Sequence, residues 1–235
     1  MTRGEWQELE ESGGWAGATA ATVLAGKIYV VAEGSLYRVD PATGGYEQVG
    51  DDSWKTRFLV AAGNRLLGIE EGGAMYSIDP TDGSYQELES GWANTTAAVG
   101  LDNRAFVVAD GTLYAVDPAD GSYAQVGDDS WKTRFLVAVG NQLLAIEEGG
   151  ALYAVNPSDG AYQELESGWA NTTAATGCGG MAYVVCDGTL YAVTPSDGSS
   201  EAINDDTWKS RFLLGVGNRL VTIEEGGELY GVALA

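Results

Sequence analysis

The chain has 235 residues, 45% of them apolar, which is enough to build one well-packed domain spanning 1–235. Its 34 acidic and 12 basic side chains leave a net charge of −22. That balance excludes a general nucleic-acid surface or an anionic-membrane surface, both of which need lysine and arginine to neutralise phosphate.

The N-terminus, Met1-Thr2-Arg3-Gly4-Glu5-Trp6, carries no apolar signal region, and no later run of eighteen apolar residues would span a membrane. The expectation is a cytoplasmic or recombinant protein. The first strand candidate is 6–10 (WQELE), a near copy of 85–89 (YQELE). Tryptophans then punctuate the chain at Trp15, Trp54, Trp92, Trp131, Trp169 and Trp208, spaced 39, 38, 39, 38 and 39 residues apart. They head two alternating kinds of unit. The A form reads SGWANTTAA, as at 90–98, and the B form reads DDSWKTRFLV, as at 51–60.

Shifted by 77 residues, the chain nearly reproduces itself. The stretch 50–60 (GDDSWKTRFLV) returns letter for letter at 127–137 and with drift at 204–214, and 85–98 returns intact at 162–175. A fixed period means that each unit buries its apolar face against a copy of itself.

The unit from Trp92 shows the elements in order. Residues 95–100 form a short apolar strand, Asp102-Asn103 a two-residue turn, and 104–109 (RAFVVA) a second strand rich in β-branched and aromatic residues. Asp110-Gly111 is a second tight turn and 112–116 (TLYAV) a third strand. The segment 117–121 (DPADG) turns again, because proline fixes φ and glycine supplies positive φ, and 122–126 is a fourth strand. No segment holds a 3.6-residue apolar period, so essentially no helix is expected.

The fifth unit contains both cysteines, Cys178 and Cys186. Strand spacing sets them about 16 Å apart, well beyond disulfide reach, so they read as free thiols filling small apolar sites. The sixth unit stops after its third strand, at 229–233 (LYGVA). The orphan at 6–10 is the missing fourth strand, so the N-terminus is expected to pair with the last unit and latch a ring. The fold class that follows is all-β: a six-bladed propeller of (A-B)3 blades.

Several segments carry a family resemblance. The strand at 26–31 (GKIYVV), followed by LYRVDPATGGYEQV at 36–49, resembles a kelch-type blade, and the once-per-blade tryptophan resembles tectonin-type and lectin propellers. It departs from kelch at Glu33-Gly34, where kelch has a double glycine, although Gly72-Gly73 partly restores it. The resemblance implies a binding scaffold, a sugar binder or, occasionally, an enzyme, so fold analogy alone carries little about activity.

The absence of histidine removes the commonest general base and transition-metal ligand. No nucleophile elbow, phosphate-cradling Gly-Lys-Ser/Thr or Cys-x-x-Cys appears, so no enzyme activity, cofactor or metal site is expected. The candidate ligand-binding groups are the repeated ones. Trp15, Trp54, Trp92, Trp131, Trp169 and Trp208 read either as wedges between blades or as platforms for sugar rings, with Asn94 and Asn171 beside two of them. Arg57, Arg134 and Arg211 open the inner strand of each B unit, aligned with Ala18, Thr95 and Thr172 of the A units. Alternation sets Arg57 opposite Phe58, and either ion pairing with nearby glutamates or an anion at the pore would satisfy the three arginines.

Asp51-Asp52, Glu70-Glu71 and their repeats fall on the same face. They read as turn caps paired with Lys55 and Arg57, or as a site for a hard cation. Surface stretches as identical as 163–167 and 86–90 point to recent amplification or engineering of the array. The expectation is a monomeric, pseudo-symmetric binding scaffold, with a multivalent carbohydrate-binding lectin as the alternative.

Overall fold

A computed structural model describes residues 2–9 and 14–234. Among them are 24 strands, β1–β24 in chain order, and one 3-10 turn at Trp15–Gly17. The strands form six four-stranded antiparallel sheets, each a blade of a β-propeller. Five blades are built from consecutive strands. The sixth has the order β1-β24-β23-β22, so β1 (Trp6–Glu8) is the outer strand of the blade that ends the chain. Trp6 pairs with Val232 and Glu8 with Tyr230 of β24 (Leu229–Ala233), which is the latch expected from the sequence; Glu10 lies outside the described residues.

The innermost strands are β2 (Ala18–Leu24), β6 (Thr56–Ala62), β10 (Thr95–Leu101), β14 (Thr133–Val139), β18 (Thr172–Cys178) and β22 (Ser210–Val216). Each touches the innermost strand of both neighbouring blades, and β22 meets β2. Six apolar clusters fill the spaces between consecutive blades. The one joining last blade to first holds Val216, Val221 and Ile223 from one side, Ile28 and Val30 from the other, and Leu9, which is 1% exposed, from the latch. Closing the ring covers the apolar blade faces that an open array would expose at its two ends.

Local chemistry sets the blade. The turn at Asp110-Gly111 has φ of 50° and 77°, the doubly positive geometry of a two-residue hairpin turn that follows the twist of its strands. In the third turn Asp117 accepts the Ala119 N–H and Asp120 the Ser122 N–H, each at 2.9 Å, and the same pair of bonds recurs around the ring. The second and third strands of the Trp92 unit match their sequence boundaries, 104–109 and 112–116. The first runs one residue longer, to Leu101, and the fourth contracts to Tyr123–Gln125.

A and B blades differ where the inner strand begins. In B blades the hydroxyls of Thr56, Thr133 and Ser210 donate to Glu70, Glu147 and Glu224 at 2.7–2.8 Å. In A blades the partner across the ladder is Ala32, Ala109 or Cys186, and the Thr95 and Thr172 hydroxyls turn back to the carbonyls of Trp92 and Trp169. Cys178 pairs across the hairpin with Met181 and Cys186 with Thr172, so the two buried thiols lie at opposite ends of β18 and stay free.

Candidate functional site

Three groups of repeated side chains gather on the face where the inner strands begin. The tryptophans come first in the chain. Each sits in the loop entering a blade, and its backbone N–H donates to a glycine carbonyl in the second turn of the preceding blade: Trp54 to Gly34, Trp131 to Gly111 and Trp208 to Gly188, all at 2.8 Å. That bond draws the indole into the space between two blades. All six rings are 4–6% exposed. Trp15 and Trp169 have indole N–H groups that are buried with no partner among the described residues. Asn94 and Asn171 donate to the carboxylates of Asp110 and Asp187 at 2.7 and 2.8 Å, bridging the loop to the second turn of the same blade.

What reaches solvent is the ring that covers each tryptophan. Trp54 meets Tyr76 and Tyr85 edge-to-face at 5.7 and 5.1 Å, and Tyr76 meets Tyr85 at 5.5 Å. The same triad recurs as Trp15–Tyr37–Tyr46, Trp92–Tyr114–Tyr123 and Trp131–Tyr153–Tyr162. In the latched blade Trp6 replaces the second tyrosine, against Trp208 and Tyr230. In the fifth blade the position belongs to Ser200, leaving the pair Trp169–Tyr191. Tyr46, Tyr85, Tyr123, Tyr162 and Trp6 are 46–51% exposed, and among the described residues they are the large apolar side chains that face solvent.

Sequence reasoning passed over these five. The signal was present, because each stands two residues after a turn glycine: Gly44, Gly83, Gly121, Gly160 and Gly4. Trp6 also donates its indole N–H to Asp206 at 2.9 Å. Beside it a cavity of about 560 Å³ is lined by Trp6, Trp208, Tyr230, Lys209, Asp206 and Glu228.

The arginines form the second group and differ from expectation in three respects. Ladder register aligns Arg57 with Thr96, one residue beyond Thr95, because the A units hold an extra residue between tryptophan and strand. A bulge between Thr56 and Phe58 breaks the simple alternation. As a result Arg57 and Phe58 line one cavity, with the guanidinium 5.3 Å from the ring centroid, instead of facing opposite ways. Finally, none of Arg57, Arg134 and Arg211 has a carboxylate within ion-pair distance among the described residues, whose ion pairs are Arg3–Glu201, Lys27–Asp40, Arg38–Glu47 and Arg65–Asp79. Arg57 donates to the carbonyls of Ala93 and Thr95, Arg134 to those of Ala170 and Thr172, and Arg211 to that of Ala16, always in the next blade.

The third group is acidic. Glu70 accepts the Lys55 N–H at 2.6 Å as well as the Thr56 hydroxyl, and Glu147 and Glu224 repeat the arrangement. These carboxylates are therefore strand caps, as one sequence reading had it, while their pairing with Arg57 and its repeats is replaced by the carbonyl bonds above. No cluster of three His, Cys, Asp or Glu side chains suited to a metal occurs among the described residues.

Among the described residues, five carboxyls are held below their ordinary range. Asp82, Asp120 and Asp197 are lowered by bonds from Ser84, Ser122 and Ser199, Asp40 by Lys27, and Glu5 by Thr2. Burial pushes the Cys178 and Cys186 thiols up.

Among solved structures, the chain is similar to the computationally designed Ika8 protein, with 18% identity over 92% of this chain and 70% of that one and a TM-score of 0.61. It is similar to virginiamycin B lyase from Staphylococcus aureus, with 11% identity over 98% and 99% of the two chains and a TM-score of 0.67. It also matches PorZ, a surface component of the type-IX secretion system of Porphyromonas gingivalis, with 14% identity and a TM-score of 0.65; 98% of this chain spans 38% of that one. At these identities the likeness concerns the fold alone. No family model and no curated protein matches the chain.

Proposed function

We propose that this chain is a non-catalytic binding propeller that holds carbohydrate through the half-exposed rings of Tyr46, Tyr85, Tyr123, Tyr162 and Trp6. The observation that carries this reading is the placement of those rings. The large apolar side chains facing solvent are aromatic, and they recur at one position of the outer strand in five of six blades. A sugar offers an apolar C–H face to such a ring and hydroxyls to polar neighbours. Each ring here is held by a buried partner, so binding costs little side-chain entropy.

The buried tryptophans then act as rigid backing for the tyrosines and not as the contact surface. The cavity beside Trp6 falls in the size range of small-molecule sites, about 300–1,000 Å³, and supplies carboxylates and Lys209 as hydrogen-bonding partners. Weak sites repeated around one rigid ring gain avidity on a surface carrying many copies of the sugar.

The non-catalytic reading rests on chemistry. A single histidine-to-alanine change leaves the Staphylococcus aureus virginiamycin B lyase catalytically inactive, and this chain has no histidine. The net charge of −22 speaks against nucleic acid as a partner. The letter-perfect recurrence of long stretches supports an array that was engineered or recently amplified.

A glycan array with the full-length chain tests the proposal, followed by changing Tyr46, Tyr85, Tyr123 and Tyr162 to serine. Ser200 already fills this position in one blade, so the variant keeps a side chain the blade accepts. Glycan capture by the parent and its loss in the variant are expected. Capture at the parent's avidity after the four substitutions, when Trp6 alone remains, or no capture by the parent, would overturn the reading.

A further inference from the structure

We propose that the mouth of the central channel is a binding site for one compact oxyanion carrying two or more negative charges, held jointly by Arg57, Arg134 and Arg211. The three guanidinium groups, together with Phe58, Phe135 and Phe212, line a single cavity of about 220 Å³ on the channel. Each arginine sits at a bulge at the start of an inner strand, in every second blade, so the three approach the channel from well-separated directions.

The groups are fixed but not neutralised. Carbonyl bonds to the next blade and the ring of the following phenylalanine, 5.3–5.7 Å from the guanidinium carbon, set the orientation of each one. A guanidinium has five N–H donors, and it stays charged at any pH the fold survives. Arg57 and Arg134 each spend two donors on carbonyls and Arg211 spends one. Three N–H groups remain on each of the first two and four on the third.

Three unneutralised cations around one cavity is the unusual feature in a chain with 34 acidic and 12 basic side chains. The glutamates paired across the ladder with the residue before each arginine are committed elsewhere. Glu70, Glu147 and Glu224 are tied to Thr56, Thr133 and Ser210, which are buried at 1% exposure while the arginine that follows each is exposed. More distant carboxylates act through solvent, where salt screens their pull over about 8 Å at physiological ionic strength. Planar forks of this kind recognise phosphate and carboxylate oxygens by paired, charge-assisted bonds. Between the arginines the alternating A blades line the cavity with Ala20, Ala97 and Ala174, small side chains that leave room for the anion and add no charge.

Calorimetric titration of the full-length chain with inorganic phosphate, against sodium chloride at matched ionic strength, tests this. One phosphate per chain is expected, with no saturable response to chloride. Arg57→Gln, Arg134→Gln and Arg211→Gln should each weaken phosphate about tenfold, and the triple variant should not bind it. Arg38→Gln, at the outer rim, should leave the affinity unchanged. If the glutamine variants fail to fold, Arg57→Lys keeps the charge but loses the fork, and should still weaken phosphate several-fold. The proposal is overturned if the parent shows no saturable phosphate binding. It is equally overturned if the arginine variants lose thermal stability while phosphate affinity stays at the parent value, since the arginines would then serve only to staple blades together. Sugar capture by the outer tyrosines is read in a separate assay and does not depend on either result.

Discussion

Packing of the inner strands around the channel leaves no space for a side chain at Gly100. A Cβ built there would lie 1.6 Å from the carbonyl oxygen of Ala61 in the neighbouring blade. Ordinary carbon–oxygen contact is about 3.3 Å, so Gly100→Ala must push β10 and β6 apart by roughly 1.7 Å. Both atoms belong to backbone, so no flexible side chain can yield. Overpacking costs about 1–3 kcal/mol and sometimes more, and a clash with backbone belongs at the upper end.

For a chain of this length, about 3 kcal/mol corresponds to a fall in Tm of roughly 6–12 °C. Gly177→Ala meets Ala138 at 1.9 Å and should behave alike, whereas Gly215→Ala meets the Gly177 carbonyl at 2.4 Å and should cost less. Gly72→Ala meets nothing within 4 Å at a φ any residue adopts, and should stay within about 0.5 kcal/mol of the parent. At the register of Gly100, β2 carries Val23, which packs into the cluster joining the last blade to the first, and β6 and β14 carry Ala61 and Ala138; glycine stands there in β10, β18 and β22. Thermal and urea unfolding followed by circular dichroism provide the comparison. Gly100→Ala melting with the parent, or falling less than Gly72→Ala, would refute the packing argument.

Other consequences are open to measurement. Glu70→Ala removes the acceptor for the buried Thr56 hydroxyl and the Lys55 N–H, and should destabilise by about 1–3 kcal/mol in urea titrations, with Glu71→Ala near neutral. Asp82, Asp120 and Asp197 should titrate below ordinary aspartate in NMR. Their folded values are lowered, so their contribution to stability is present above the unfolded aspartate pKa and lost as pH falls through the folded values. Cys178 and Cys186, buried and with raised thiol pKa values, should react slowly with a disulfide reagent at pH 8 in the folded state and at once in denaturant.

Much of the architecture was legible because it is repeated. The tryptophan spacing, the turn residues and the orphan copy at 6–10 carried blade number, strand order and the latch, since each depends on local chemistry that recurs. The surface chemistry was less legible. Tryptophan at the head of each unit read either as a wedge between blades or as a sugar platform; it is the wedge, held by its backbone bond to the neighbouring blade, and the rings left in solvent are Tyr46, Tyr85, Tyr123 and Tyr162. Strict alternation misplaced Phe58 relative to Arg57, because a bulge is a property of the ladder and leaves no mark in a single strand. Of the two partners the sequence offered the arginines, glutamates or an anion at the pore, the glutamates are already bound by the threonine and backbone N–H next to them.

The latch supports everything built on the ring, and a covalent probe reads it directly. Gln7 and Gly231 are partners across β1 and β24. With Cys178 and Cys186 changed to alanine, Gln7→Cys and Gly231→Cys should oxidise to an intramolecular disulfide and raise Tm by roughly 4–16 °C, the equivalent of about 2–4 kcal/mol for a long closed loop. A folded protein whose two thiols stay reduced under oxidising conditions, or that crosslinks only between chains, would contradict a ring closed by its own first strand.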